Sequence, residues 1–259
     1  MKSMYSGADQ FDDKYFELYQ KKNWFHRERG ERPLLYAFWT NKLGDLLPKQ
    51  KYILDVGCGI GNFQSHLQRD NQTLGIDISE VALNINRTKT QKAWLSCASA
   101  EMLPLKAQSF HAVVAMDVIE HLINPENFIC ETYRILLPRG WLIISTPNPA
   151  SYGARIKKHQ FERLGENLNK EVYAWFGCRD QTHINIRSME EWQRLLRREG
   201  RFSITNEGTD MLWDVPYFKE VPIMIQKVLF LSIHYLLTRY KGFLSWRLGE
   251  NYICIAQKK

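Results

Sequence analysis

The chain has 259 residues, 44% hydrophobic and 24% charged, which suits one α/β domain with a substantial core and excludes a disordered or low-complexity protein. A net charge of +7 favours an anionic partner such as nucleic acid, a phosphorylated substrate or anionic lipid, and a solvated basic surface accounts for it equally well. The cysteines (Cys58, Cys97, Cys130, Cys178, Cys254) are odd in number and lack a C-x-x-C spacing, so they read as reduced core thiols of a cytosolic protein.

Residues 1–14 are polar and acidic, without the charged-then-apolar form of a signal segment. Over residues 14–47 aromatics alternate with charges, which suggests two amphipathic helices broken near Gly30 and Pro33; they serve either as a lid or as cover for a sheet face. Residues 52–56 form a first strand that meets Gly57, Gly59 and Gly61, and a helix follows to about 69–71. A second strand, 72–78, finishes on Asp77, and Ser79 caps a helix over 80–88. Residues 92–98 are a third strand, 99–104 a loop and 111–116 a fourth strand. Asn124 is the N-cap of a helix with Pro125 in its first turn, stopped by Pro138-Arg139-Gly140, and 141–146 form the fifth strand. Residues 151–182 read as irregular, with a basic run. Ser188 to Glu191 is a capping box opening a helix over 190–198. Strands at 202–206 and 252–257 complete a Rossmann-like, seven-stranded, mostly parallel sheet with an antiparallel last strand. The domain plan is a single unit: leading helices in 1–50, a core of 51–208 and 251–259, and an apolar helical insert in 209–250.

The glycine turn cradles a ligand, because each missing side chain lets a ligand approach the backbone. A dinucleotide turn is spaced G-x-G-x-x-G, whereas Gly57, Gly59 and Gly61 are spaced G-x-G-x-G. Asp55, inside the strand, would repel a pyrophosphate but suits a cationic amino-acid moiety. Asp77, closing the second strand, can accept both hydroxyls of a ribose or simply cap a helix.

With Ala98–Pro104 and Met116–Leu122, these segments resemble the class I S-adenosylmethionine-dependent methyltransferases, particularly the group acting on small molecules and lipids. The resemblance spans roughly 51–198 plus the last strand. It implies that Gly57, Cys58 and Gly59 offer backbone to the methionine part, with Gly61 completing the turn. Asp55 would organise the turn or bond the amino group, Asp77 take the ribose hydroxyls, and Ile78 pack on the adenine. Ala100 and Glu101 would meet the adenine's amino edge, and Met116 and Asp117 would border the sulfonium region. The product would be S-adenosylhomocysteine. A redox or nucleophilic role for Cys58 lacks a nearby base or second thiol.

A sulfonium is an activated donor, so the protein has to align an acceptor, exclude water and, where needed, take a proton. Asp117-Val118-Ile119-Glu120 stands where base-amino methyltransferases carry an Asn/Asp-Pro-Pro-aromatic motif, and no Pro-Cys nucleophile occurs, so nucleic acid is not expected. A small or lipophilic acceptor remains, with oxygen the favoured atom. His183 is either its general base or a loop-fixing histidine. His121 reads as a core histidine, and neither has a carboxylate or histidine at local metal-ligand spacing, so no metal is expected. Residues 221–237 read as an amphipathic helix with Gln226, Lys227, His234 and Thr238 on one face. That helix is an acceptor-pocket wall, a peripheral membrane contact, or a dimer or core element. A nicotinamide-dependent oxidoreductase and a non-catalytic cofactor-binding scaffold are the alternatives. The expected location is cytoplasmic, either free or attached peripherally to a membrane.

Overall fold

Apolar runs without polar alternation become central strands, because a strand covered on both faces has no solvent side. The computed structural model describes residues 51–68, 71–90, 93–156, 182–218 and 220–259, together with Asp45. The expected leading helices, apart from Asp45, and the basic stretch within 157–181 lie outside the described residues. β1 (Tyr52–Val56), β2 (Gln72–Asp77), β3 (Trp94–Cys97), β4 (Phe110–Met116), β5 (Leu136–Pro147), β6 (Phe202–Thr209) and β7 (Asn251–Lys258) form one sheet. Its order is β3-β2-β1-β4-β5-β7-β6. Pairs from β3 across to β5 are parallel, and β7 runs antiparallel to β5 and β6.

Alternate residues of each strand serve two cores. Leu54, Val56, Val113 and Ala115 pack with Phe128 and Ile129 of α3 (Pro125–Ile135) and with Trp192 and Leu196 of α4 (Met189–Arg197). Ile53, Ala112, Val114 and Ile143 face the other way, onto Phe63, Leu67 and Phe243. The short α1 is Gln64–Leu67, and α2 (Glu80–Lys89) starts at Ser79, whose Oγ accepts the Ala82 N–H as expected. The capping box of α4 has both of its hydrogen bonds, between Ser188 and Glu191. Strand order reverses between β1 and β4, and the crevice at their carboxyl ends is where such sheets take ligands.

Three local expectations need correction. Strand β5 begins at Leu136 rather than Trp141: Pro138-Arg139-Gly140 stops the helix but not the pairing. Phe110 lies opposite Leu136 and Ala112 opposite Trp141, with a bulge between them, and Arg139 takes a left-handed φ of 61°. Lys258 Nζ holds this junction by donating to the carbonyls of Tyr133 (2.6 Å) and Leu136 (2.7 Å). Asn124 occupies the cap position of α3 without capping it, because its amide is turned to Glu101 Oε2 (3.3 Å). The stretch after β5 is not irregular at its start: residues 152–156 are helical.

Between β6 and β7 the insert carries α5 (Ile223–Gln226), a π turn (Lys227–Leu231) and α6 (Ser232–Tyr240), with helical backbone at both junctions. Its return leg is tied to the sheet by reciprocal 2.9 Å bonds between Thr209 and Leu244. Trp246 Nε1 donates to the carbonyl of Asp210 (2.8 Å). Among the described residues no helix is long and apolar enough to cross a membrane.

Candidate active site

The glycine turn leaves β1 with φ of +66° at Gly57, +50° at Gly59 and +80° at Gly61, angles that side chains rarely adopt. A Cβ on Gly61 would stand 2.2 Å from Asn86 Oδ1, so that glycine makes room for a supporting side chain. A Cβ on Gly59 would meet nothing nearer than 4.0 Å, so that glycine faces open space. Beneath the turn lies a buried polar network that the sequence reading missed. Asn86 Nδ2 donates to Gln64 Oε1 (2.9 Å), Gly59 O (3.3 Å) and Cys58 Sγ (3.5 Å). The available signal was the amphipathic register of α2, which puts Asn86 on the same inward face as Ala82 and Leu83.

Two carboxyls border this turn. Asp55 is buried, its Oδ2 has no hydrogen-bond partner, and burial, with Asp77 beside it, pushes its carboxyl up to about 8. An orphaned buried carboxylate oxygen beneath a cradle with open space fits the cationic amino-acid end of S-adenosylmethionine. Asp77 accepts the N–H groups of Gly59 (2.8 Å) and Ser79 (2.9 Å), so it braces the turn from the end of β2. Burial raises its carboxyl, against the lowering effect of those bonds. Ser79, not Asp77, is the helix cap. The Cys58 thiol is buried and pushed up by that burial and by both aspartates, which leaves it an inert packing group.

Ile78 and Ala100 are half-buried at the same carboxyl edge. Glu101 turns elsewhere: its carboxylate accepts the N–H groups of Ile123 (2.7 Å) and Asn124 (3.1 Å), which fixes the loop after β4. Met116 ends β4, and Asp117 follows with a left-handed φ of 57°. Its N–H bonds Ser145 O (2.9 Å), and its Oδ1 accepts from Ser145 Oγ (3.0 Å). Aspartate tolerates that conformation better than most residues, and β5 holds it there.

The segment carrying His183 docks directly on the turn after β4. The Asn185 N–H donates to Glu120 O (2.8 Å), and His121 Nδ1 lies 3.1 Å from Thr182 O and 2.9 Å from Thr182 Oγ1. The two imidazoles meet edge to face at 4.7 Å. Glu120 is wholly buried; its Oε2 accepts from Thr146 Oγ1 (3.0 Å), and its Oε1 is 4.0 Å from His183 Nε2. The fold thus brings together an acid and two histidines that lack ligand spacing along the chain. One ligand atom each from Glu120, His121 and His183 lies within 4.8 Å of the others, a donor set suited to a divalent ion. Sequence spacing hid this because the pairing spans two segments some sixty residues apart in the chain. Glu120 carried its own signal, an acid set beside His121 among the apolar residues Val118, Ile119 and Leu122.

Beyond Asp117 a second polar layer closes the same edge. Asp210 is buried, accepting from Trp213 Nε1 (2.7 Å) and the Asn251 N–H (2.8 Å). Burial raises its carboxyl well above the usual range, with Glu250 and Asp117 adding to the effect. Glu250 accepts from Tyr217 Oη and from Ser151 Oγ (3.2 Å). The insert thus begins beside the crevice.

A glycine cradle at the β1 end, an acid at the β2 end and this strand order with antiparallel β7 define a Rossmann-like methyltransferase fold. Residues 54–144 match a family model described as a methyltransferase domain. A ubiquinone biosynthesis O-methyltransferase of Leptothrix cholodnii is 29% identical over 209 residues, covering 71% of this chain and 87% of the relative. The corresponding Coxiella burnetii protein is 30% identical over 105 residues, or 39% of this chain, and the match spans only 45% of the relative's length. A solved methyltransferase of Thermotoga maritima, described as a possible histamine N-methyltransferase, shares the fold. Its TM-score is 0.62 at 22% identity, covering 97% of this chain and 99% of that one. Over residues 54–144 the chain is similar to the methyltransferase-domain family, and its sheet has the fold of the class I S-adenosylmethionine-dependent methyltransferases. The nicotinamide-dependent alternative is not favoured.

Proposed function

We propose that the protein transfers a methyl group from S-adenosylmethionine to an oxygen of a small, lipophilic, hydroxyl-bearing acceptor, with His183 as general base. The observation that carries the reading is the pairing of His183 with buried Glu120, itself held by Thr146, at the edge where the glycine cradle opens. An imidazole oriented by a buried carboxylate is the arrangement that takes a proton from a hydroxyl. The relatives named as O-methyltransferases of ubiquinone biosynthesis support an oxygen acceptor on a lipophilic molecule.

Bound S-adenosylmethionine supplies a methyl carbon already activated by its sulfonium. Asp55 would hold the amino group, Gly57, Cys58, Gly59 and Gly61 would line the methionine part, and Asp77 would meet the ribose. Ile78 and Ala100 would border the adenine, with Glu101 fixing the loop beside it through Ile123 and Asn124, and Met116 and Asp117 would border the sulfonium. His183 Nε2 takes the hydroxyl proton as oxygen attacks, and Glu120 stabilises the imidazolium. Asp117 and Val118 shape the space between cradle and base, so alignment and water exclusion supply most of the rate. The proposed location is the cytoplasm, with peripheral attachment to a membrane, and cell fractionation checks it.

The test is methyl transfer from labelled S-adenosylmethionine to a panel of phenols and catechols carrying alkyl tails, with products identified by mass spectrometry. Transfer to a hydroxyl, lost in His183→Ala with S-adenosylhomocysteine binding kept, is expected. Methylation at nitrogen or carbon, or full activity in His183→Ala, would refute this assignment.

A further inference from the structure

Amphipathic helices normally turn their polar stripe to water, and the insert does the opposite. Gln226, His234 and Thr238, three of the four residues of its polar stripe, are buried, and the fourth, Lys227, is half-buried. Met224, Val228, Leu229, Ile233, Leu236 and Tyr240 are each more than half exposed and share the outer face. The inversion is built in rather than accidental. Gln226 uses all of its amide: Oε1 accepts from the N–H groups of Tyr217 (2.7 Å) and Phe218 (3.0 Å), and Nε2 donates to the carbonyls of Phe218 (2.7 Å) and Val221 (2.6 Å). The eight positions from Gln226 to His234 make about two α turns and one extra residue. The π turn at Lys227–Leu231 absorbs that extra residue and brings both side chains to the inner face.

The outer face also has one sign of charge. No Asp or Glu occurs from Val221 to Gly249, while Lys227, Arg239 and Lys241 edge the apolar stripe. A second copy of this chain laid on the face would bring like charges together, whereas an anionic bilayer surface satisfies both the apolar stripe and its cations. We propose that the outward face of residues 223–241 docks on an anionic lipid surface and lies in its headgroup boundary. Phe230 stacks edge to face on Tyr217 (5.0 Å), whose hydroxyl bonds Glu250, and Trp213 links His234 (6.2 Å) to Asp210. The docked face is therefore joined by two aromatic contacts to the polar layer beside Asp117. A lipophilic acceptor would reach the site from the membrane without crossing water, a consequence that rests on the proposed function; the docking itself does not.

The full chain is sedimented with sucrose-loaded vesicles of phosphatidylcholine alone and of phosphatidylcholine with about a third phosphatidylglycerol, at low and raised salt. Expected is binding at least tenfold stronger to the anionic vesicles and weakened by salt. Leu229→Glu with Ile233→Glu should lose at least tenfold of it, with unchanged melting temperature and oligomeric state. Arg239→Glu with Lys241→Glu should lose the preference for anionic lipid. Wild-type protein left in the supernatant, or a Glu variant that binds like wild type, overturns the proposal. So does a Glu variant that, without lipid, melts earlier or changes from dimer to monomer, since protein then covers the face. S-adenosylhomocysteine affinity, measured on the same samples, reports separately on the cofactor site.

Discussion

With Asp55 holding the amino group of the cofactor as proposed, cofactor affinity should depend on pH. Its carboxyl is buried, has an orphaned oxygen, and is raised to about 8, so near neutral pH the ligand-free protein holds it mostly protonated. Binding a cationic amino group requires the carboxylate, so a proton leaves as the ligand enters. With a value of about 8, the ionised fraction rises from roughly 1% at pH 6 to about half at pH 8, an approximately 50-fold gain in S-adenosylhomocysteine affinity, or about 2.3 kcal/mol. Calorimetry across that window, in buffers of different ionisation enthalpy, reads both the affinity and the proton released. Asp55→Asn should bind more weakly at pH 8 and show little pH dependence. The same shift has a stability signature in the ligand-free protein. A carboxyl raised by folding contributes stability that is fully present below its unfolded value near 4 and is lost as pH rises through about 8. Asp55→Asn should flatten that decline, leaving what Asp77 and Asp210 contribute with the same sign. Wild-type affinity that is flat from pH 6 to 8, or an Asn variant with the wild-type slope, would refute the role.

Asp77→Ala removes the acceptor for Gly59 and Ser79 and should weaken S-adenosylhomocysteine binding by roughly 1.5–3 kcal/mol in calorimetry, the worth of hydrogen bonds to a charged group. Gly61→Ala drives a Cβ onto Asn86 at a φ of +80°. It should cost about 1–3 kcal/mol of stability by chemical denaturation and weaken cofactor binding with it. Gln226→Leu strands four backbone groups and should destabilise by about 3 kcal/mol, read as a fall in melting temperature of roughly 6–12 °C. A change below about 1 kcal/mol would show that water replaces the amide. Glu120→Gln should lower kcat and move the acid limb of its pH profile while leaving S-adenosylhomocysteine affinity alone. A chelator that abolishes transfer would assign Glu120, His121 and His183 to a metal ion instead.

The sequence by itself determined whatever depends on neighbours along the chain. The seven strands, the left-handed glycines after β1, Asp77 at the end of β2, the Ser79 cap and the Ser188–Glu191 capping box were legible from spacing alone. Each is a local choice of backbone angle or periodicity that short-range sterics and hydrogen bonds impose. The cofactor edge was legible for the same reason, since carboxyl ends of parallel strands must gather on one side. Tertiary structure decided what depends on segments meeting. It paired Glu120 with His183 across a loop, placed Asn86 and Gln64 beneath the cradle, and took the Glu101 carboxylate for Ile123 and Asn124. It also extended β5 through Pro138 by means of pairing with β4 and the Lys258 clamp. The insert shows the division most plainly. Periodicity put Gln226, His234 and Thr238 on one face of a helix, but it carries no information about which face meets the protein. Four hydrogen bonds from one buried amide to residues 217–221 turned the polar side inward and left the apolar side out.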